Sequence, residues 1–438
     1  MTDTSVGPRG QEIFQGQKDY IFSCVGHLYK EPVVLARGDG ARAWDADGKE
    51  YLDFFSGILT TSVGHCHPRI VEAISRQAKT LGHTSTLYVT EPQVQAAKRL
   101  ASITPGALNR VFFSNSGSEA IETAVNLACV ATGRMEVIAL RGGYHGRSTL
   151  ATNLTGLSSW RPMASTMANI KHARAPYPYR CGHEGPCDER CAEKYAQDLE
   201  EVIATTTNGR PAAFLAETIQ GAGGYIVPPP GYFQRVAEII RGVGGYLIID
   251  EVQAGFGRTG KWFGIEHWGV VPDIMIMAKG IAGGMPVGAT VTTDEIASRW
   301  AGKTISTFGG NPICMAAMAE TLDIMKEEDV PTRAVERGTQ LREGLEALMD
   351  QYEWIGEVRG MGLMQAMELV KDRKSKEPFA ERTGAFMEAA KDEGLLIGKA
   401  GLRDNVLRFG PSLLITEEEV ADCLERTARV CEKLDRSS

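Results

Sequence analysis

Three stretches of this 438-residue chain put reactive side chains where a fold could gather them. The first is Ser114-Asn115-Ser116-Gly117-Ser118-Glu119. It follows the apolar run Val111–Phe113 and precedes apolar residues spaced as Ile121, Ala124, Val125 and Ala128, with Thr132-Gly133 as a stop. That pattern predicts a strand turning into a helix that begins at Ser116, Gly117 and Ser118. Free N–H groups and the positive dipole end collect at a helix start, a setting for phosphate. A plain N-cap, with Glu119 as a favourable first-turn charge, accounts for the same residues equally well. The second is Asp250, delivered by Tyr246–Ile249 to the end of a strand, where α/β sheets bind ligands. Such a carboxylate can ligate a metal, act as a base, pair with a ring nitrogen, or simply cap a turn. The third is Lys279, which ends the run Ile274–Met277 and is followed by Gly280, Gly283 and Gly284. An ammonium resists burial unless it is paired or chemically used. Covalent attachment of a carbonyl cofactor fits best, against a lysine that merely snorkels to the surface. Taken together, a phosphate cup, a strand-end acid and a strand-end amine match the phosphate, ring nitrogen and aldehyde of pyridoxal 5′-phosphate (PLP).

The elements that must hold these residues follow from periodicity. Val111–Phe113, Val137–Leu140, Ala213–Ala216, Tyr246–Ile249 and Ile274–Met277 are short apolar runs bounded by Gly, Pro or charge, alternating with helical spacing. That alternation predicts a mostly parallel sheet covered by helices on both faces. Residues 40–55 predict a hairpin turning on Asp45-Ala46-Asp47-Gly48. Residues 330–438 read as a smaller α+β domain with strands at Leu395–Gly398 and Val406–Phe409, against which the N-terminal hairpin can pack. Expected boundaries are 1–75 for the N-terminal segment, 76–325 for a large cofactor domain and 326–438 for the small domain. Gly255-Phe256-Gly257-Arg258-Thr259-Gly260-Lys261-Trp262 matches both G-x-G-x-x-G and G-x-x-x-x-G-K. No clear helix follows it, and Trp262 stands where a P-loop needs Ser or Thr, so it reads as a glycine-rich loop.

Composition narrows the function classes. A formal charge of −8 argues against a nucleic-acid backbone as partner. No apolar run approaches the roughly 20 residues of a membrane span. The first residues lack the apolar core of a secretory signal, and the nine cysteines form no regular framework. The expectation is a cytoplasmic protein with reduced thiols.

Asp250-Glu251-Val252-Gln253-x-Gly255-Phe256-Gly257-Arg258-x-Gly260, Pro272-Asp273 and Ala278-Lys279-Gly280 resemble the class III (ω-amino acid) aminotransferases, which are fold type I PLP enzymes. The resemblance runs over nearly the whole chain. It takes in Ser56-Gly57, Gly64-His65-x-His67-Pro68, Ser116-Gly117-Ser118-Glu119-Ala120 and Tyr144-His145-Gly146-Arg147. Ser306-Thr307-Phe308-Gly309-Gly310-Asn311-Pro312 and Arg359-Gly360-x-Gly362-Leu363 continue it. The central and C-terminal parts are most similar to the alanine–glyoxylate (type 2) and 4-aminobutyrate branches. The fold it implies is α/β, with a mostly parallel seven-stranded sheet and a smaller domain built from both termini.

The resemblance also implies roles. Lys279 attaches the cofactor and later carries the proton, Asp250 pairs with the ring nitrogen, and Gln253 lies near the ring hydroxyl. Ser116, Gly117 and Ser118 hold the phosphate, Tyr144 stacks on the ring and His145 lies close by, with a purely structural histidine as the alternative. Thr307 reaches the phosphate of a neighbouring subunit, so a homodimer with shared sites is implied, with a tetramer as the larger alternative. Glu217 and Arg408 match an ion pair that opens to admit a substrate carboxylate. Thr218 and Gly410-Pro411-Ser412 depart from the family's common form around that pair. Leu59, Thr60, Tyr88 and Trp262 are pocket candidates that packing also explains. The implied reaction moves an amino group from a β- or ω-amino acid, an amine or alanine to an oxo acid such as pyruvate or glyoxylate. An aminomutase or a decarboxylating transaminase is the alternative on the same fold. A third reading, a non-enzymatic α/β binding module with a nucleotide as one candidate ligand, needs neither Lys279 nor Asp250.

Cys181-Gly182-His183-x3-Cys187-x3-Cys191 remains outside that scheme. Cys and His are zinc ligands, yet the spacing lacks C-x-x-C pairs. No metal is assigned, and the segment reads first as a solvent-exposed insertion.

Overall fold

A computed structural model describes residues 7–163, 166–182 and 187–436. The runs Val137–Leu140, Ala213–Glu217, Tyr246–Asp250 and Ile274–Met277 offer almost no side chain to water, and nearly every residue in them is buried. Runs of that kind need cover on both faces, and here they form the middle of a seven-stranded sheet. Its order is Arg110–Ser114, Gly288–Thr292, Ile274–Met277, Tyr246–Asp250, Ala213–Glu217, Val137–Leu140, Ile170–Ala173. Gly288–Thr292 runs antiparallel to both neighbours, and the remaining pairs are parallel. Successive residues point to opposite faces, as strand geometry requires. Ile138, Phe214, Leu247, Ile249 and Met275 enter the main core. Val137, Leu215, Ile248, Ile274 and Ile276 enter a second core, shared with the helix Gly117–Thr132.

Both ends of the chain build the smaller domain. Leu35–Asp39, Arg42–Asp45 and Glu50–Asp53 form antiparallel strands, and Leu395–Leu396 joins them in parallel. The predicted hairpin turn is held by the Asp45 carboxylate, which accepts from the amides of Asp47 and Lys49 at 3.1 and 2.9 Å. A second sheet, wholly antiparallel, contains Ile355–Met361, Met364–Leu369, Val406–Phe409 and Gly398–Ala400. The single strand expected at Leu395–Gly398 is thus two strands in different sheets, divided at Ile397. Among the described residues no helix is long and apolar enough to cross a membrane.

The cysteine segment also differs from expectation. Cys191 is 4 % exposed, and Cys181 and Cys187 pack against the main core. The cause is the helix Glu189–Thr206, whose apolar face carries Cys191 inward with Ala192, Tyr195 and Leu199. His183 lies outside the described residues.

Candidate active site

In parallel strands the carboxyl ends share one edge, so Glu217, Asp250 and the residues following Ser114, Leu140 and Met277 converge there. A cavity of about 170 Å³ opens at that edge, lined among others by Ser116, Gly117, Ser118, Tyr144, His145, Glu217, Asp250, Gln253 and Lys279. Nine residues singled out in the sequence thus share one cavity.

One end of the cavity is a helix start. The Ser116 hydroxyl accepts from the Glu119 amide at 3.2 Å, so the N-cap reading is correct as far as it goes. It leaves the first-turn amides of Gly117 and Ser118 without an intrahelical acceptor, facing the cavity. The Ser118 hydroxyl accepts from the Arg147 amide at 3.1 Å. Gly146 makes that approach feasible: at φ +122° a Cβ there would sit 2.2 Å from the Ser118 hydroxyl oxygen. Beneath the cup, a Cβ on Gly288 would lie 2.2 Å from the Ser116 carbonyl oxygen, so only glycine lets the antiparallel strand pass.

The other end holds the charges. Asp250 Oδ2 lies 2.8 Å from His145 Nδ1, and its Oδ1 accepts from the Val252 amide at 3.0 Å. The His145 amide in turn donates to the Thr155 hydroxyl at 3.0 Å. Both side chains are buried, and His145 Nε2 and Gln253 Oε1 find no partner among the described residues. Lys279 begins a short turn just past its strand and sits in the left-handed region at φ +49°. A non-glycine residue there is strained, a condition concentrated at functional sites. Burial pushes its amine down to about 8, while Asp250 and Glu217 pull it up and Arg408 adds to the lowering. Burial pushes the Glu217 carboxyl up to about 7, partly offset by His145.

Glu217 and Arg408 do not form the expected ion pair. The Glu217 carboxylate accepts instead from the amides of Tyr144 and Gly221, at 2.9 and 2.7 Å. Arg408 donates to the carbonyls of Gly221 and Lys399, at 3.3 and 3.1 Å, and its Nε has no partner among the described residues. The two groups are joined through Gly221, whose N–H and C=O serve one each. Leu59, Tyr88 and Thr307 do not line the cavity of this chain. Leu59 is buried under Gly410, while Tyr88 and Thr307 are exposed. Thr60 and Trp262 are only partly buried and also lie outside it.

Ile121, Val252 and Ala278 complete the walls. Sequence reasoning missed them because an apolar residue beside a motif carries no chemical signal. Thr155 and Gly221 were missed as well, since Thr155 acts through one hydrogen bond to His145 and Gly221 only through its backbone.

The donor set fits PLP: unpaired helix-start amides for a phosphate, apolar walls for a ring, a buried carboxylate for its nitrogen and a deprotonable amine for its aldehyde. Comparison with known proteins agrees. A family model described as aminotransferase class-III matches residues 25–431. Alanine–glyoxylate aminotransferase 2 homolog 2, mitochondrial, of Arabidopsis thaliana is 40 % identical over 94 % of this chain and 86 % of its own length. Acetylornithine aminotransferase of Methanosarcina mazei is 40 % identical over 91 % of this chain and 92 % of its own. The structure of an (S)-enantioselective omega-transaminase from Thermomicrobium roseum superposes with a TM-score of 0.90 at 33 % identity, covering 98 % of this chain and 99 % of that one. With the family's match spanning nearly the whole chain and a cavity whose groups suit the family's cofactor, this protein belongs to the class III aminotransferases and is a PLP-dependent transaminase.

Proposed function

We propose that the chain moves an amino group from a β- or ω-amino acid, an amine or alanine to an oxo acid such as pyruvate or glyoxylate, in two alternating half-reactions. The observation that carries this reading is the Glu217–Gly221–Arg408 arrangement. A buried guanidinium whose hydrogen bonds among the described residues go to two carbonyls can exchange them for a planar carboxylate, which it binds bidentately. Glu217 offsets its charge from across one peptide when the substrate presents no carboxylate there. The names of the Arabidopsis and Methanosarcina relatives support an oxo-acid acceptor and an amino donor.

When bound, PLP supplies an electron sink that draws charge from the substrate carbon. The chain's own groups do the rest. Ser116, Gly117 and Ser118 bind the phosphate. Asp250, oriented by His145, keeps the ring nitrogen protonated. Tyr144 covers one ring face and Gln253 meets the ring hydroxyl. Lys279 holds the cofactor and, once freed, moves the proton to and from the substrate carbon. Thr307 and Tyr88 act at the mouth in a homodimer, while Leu59 shapes the site from beneath, packed against Gly410. The clip between Thr86 and Ser306 supports this assembly, since it presents Leu87, Val89, Ile305 and Phe308 together as exposed apolar surface. A large domain of 76–325 flanked by 1–75 and 326–438 is supported by the pairing of Leu52 with Leu395. Nine free cysteines support a reducing, cytoplasmic setting.

The test is a half-reaction screen of the PLP form against β-alanine, 3-aminoisobutyrate, 4-aminobutyrate, N-acetylornithine and alanine. The expected result is loss of the bound cofactor's visible band with alanine and at least one ω-amino donor, restored by pyruvate or glyoxylate. A band indifferent to every donor, or turnover without any oxo acid, overturns the proposal.

A further inference from the structure

The cysteine cluster lies outside the reaction, yet its geometry asks for a ligand. Cys181 follows the turn Pro178–Arg180, Cys187 precedes the N-cap Asp188, and Cys191 lies in the first turn of Glu189–Thr206. Cys181 Sγ is 3.6 Å from Cys191 Sγ and 3.2 Å from Cys187 Sγ, and all three sulfurs lie within 4.8 Å of one another. Among the described residues this is the one group of three potential metal ligands so placed. None of the three is in a disulfide, whose sulfurs would be about 2.05 Å apart. A tetrahedral zinc with Zn–S bonds of about 2.3 Å has sulfur–sulfur edges of about 3.8 Å, so small shifts suffice to seat one.

We propose that Cys181, Cys187 and Cys191 bind a zinc ion that ties the turn Pro178–Arg180 to the start of the helix Glu189–Thr206. Three thiols lose their protons to solvent and waters leave the hydrated ion as three Zn–S bonds form, giving a site of net charge −1 whose fourth ligand is a retained water. One feature favours the anion: Cys191 stands in the first turn of Glu189–Thr206, at the positive end of that helix's dipole. The turn Pro178–Arg180 has a mechanical task. Tyr177 and Arg180, just before Cys181, reach across to Glu368 in the small domain, Arg180 Nε at 2.7 Å. An ion at the cysteines fixes the far end of that arm.

The test uses tag-free holoenzyme from zinc-supplemented cells, purified without chelator. Elemental analysis is expected to give about one zinc per chain, released in step with mercurial titration of three thiols. Cys187→Ser is expected to lose about nine-tenths of that zinc while keeping its PLP content, and to melt at lower temperature. Should Cys187→Ser fail to fold, the wild-type titration decides alone. The proposal is overturned by substoichiometric metal with thiols that react as freely as exposed Cys24, by iron with labile sulfide, by a disulfide within the trio, or by full zinc retention in Cys187→Ser.

Discussion

An ammonium enclosed by protein loses the hydration that stabilises its charge, and Lys279 shows how far neighbours can compensate. Its amine is lowered to about 8 by burial even though the charges of Asp250 and Glu217 oppose the shift. Only the neutral amine attacks an aldehyde. Covalent uptake of PLP by cofactor-free enzyme should therefore accelerate as pH rises and level off above about 8. Asp250→Asn removes a charge that favours the protonated amine, so the midpoint should move to lower pH, while turnover falls by about two orders of magnitude or more. Stopped-flow uptake across pH 6–10 checks both. A midpoint unmoved by the substitution would mean that Asp250 does not sense Lys279. Lys279 and Asp250 were legible in the sequence because a charged residue ending an apolar strand has few structural excuses. The Asp250–His145 contact was not, because 105 positions separate the pair and only the strand order brings them within 2.8 Å.

Elements were legible where burial leaves a pattern. Val137–Leu140 and Ile274–Met277 are apolar throughout and stand as predicted, because helices cover both faces. Ile170–Ala173 escaped because it is an edge strand that leaves Lys171 and His172 half-exposed in its middle. Gly288–Thr292 escaped because glycine, alanine and threonine give it little apolar signature. Nothing in composition announces the turn Ser56–Leu59, where four successive residues take positive φ, Ile58 at +66°. Left-handed backbone costs about 1–2 kcal/mol per non-glycine residue. The turn persists because Asp53 Oδ1 accepts from the amides of Phe55 and Ser56, and because Leu59 is buried against Gly410. It packs beneath the active lysine, with the Leu59 carbonyl 3.4 Å from where a Gly280 Cβ would be. Ile58 is 44 % exposed, so Ile58→Gly gives up the burial of about half a side chain while it relieves the strain. Relief of strain set against lost burial and added backbone entropy should leave a net change within about 1 kcal/mol of zero. Leu59→Gly, which also empties a buried site, should instead cost about 2 kcal/mol or more. Denaturant midpoints of the two variants decide, and equal losses would show that the left-handed turn stores no strain.

At the scale of the molecule, one buried carboxylate joins the two domains. Glu368 accepts from Arg359 Nη1 at 2.6 Å, Arg180 Nε at 2.7 Å and Asn405 Nδ2 at 3.3 Å, and Tyr177 also bonds to it. Burial opposes its charge, yet Arg359, Tyr177 and Arg180 together hold it below the ordinary carboxylate range. Glu368→Gln leaves a buried guanidinium short of its counter-charge and should cost about 3–5 kcal/mol. A depressed carboxyl stabilises above its unfolded pKa and loses that contribution as pH falls through the folded value. The difference between variant and wild type should thus hold from pH 8 to 5 and narrow only in stronger acid. A second copy of the chain poses the remaining question, since Thr307 and Tyr88 acquire a role only if another subunit's cavity lies beside them. Val89 is 88 % exposed and shares its surface with Leu87, Ile305 and Phe308, an apolar area that a monomer would leave in water. Charging it with Val89→Asp and Phe308→Asp should shift the protein from two chains to one in light scattering. The same change should depress PLP retention, because the phosphate would lose the hydroxyl of the partner's Thr307. Monomers that keep full PLP affinity would show that each chain completes its own site.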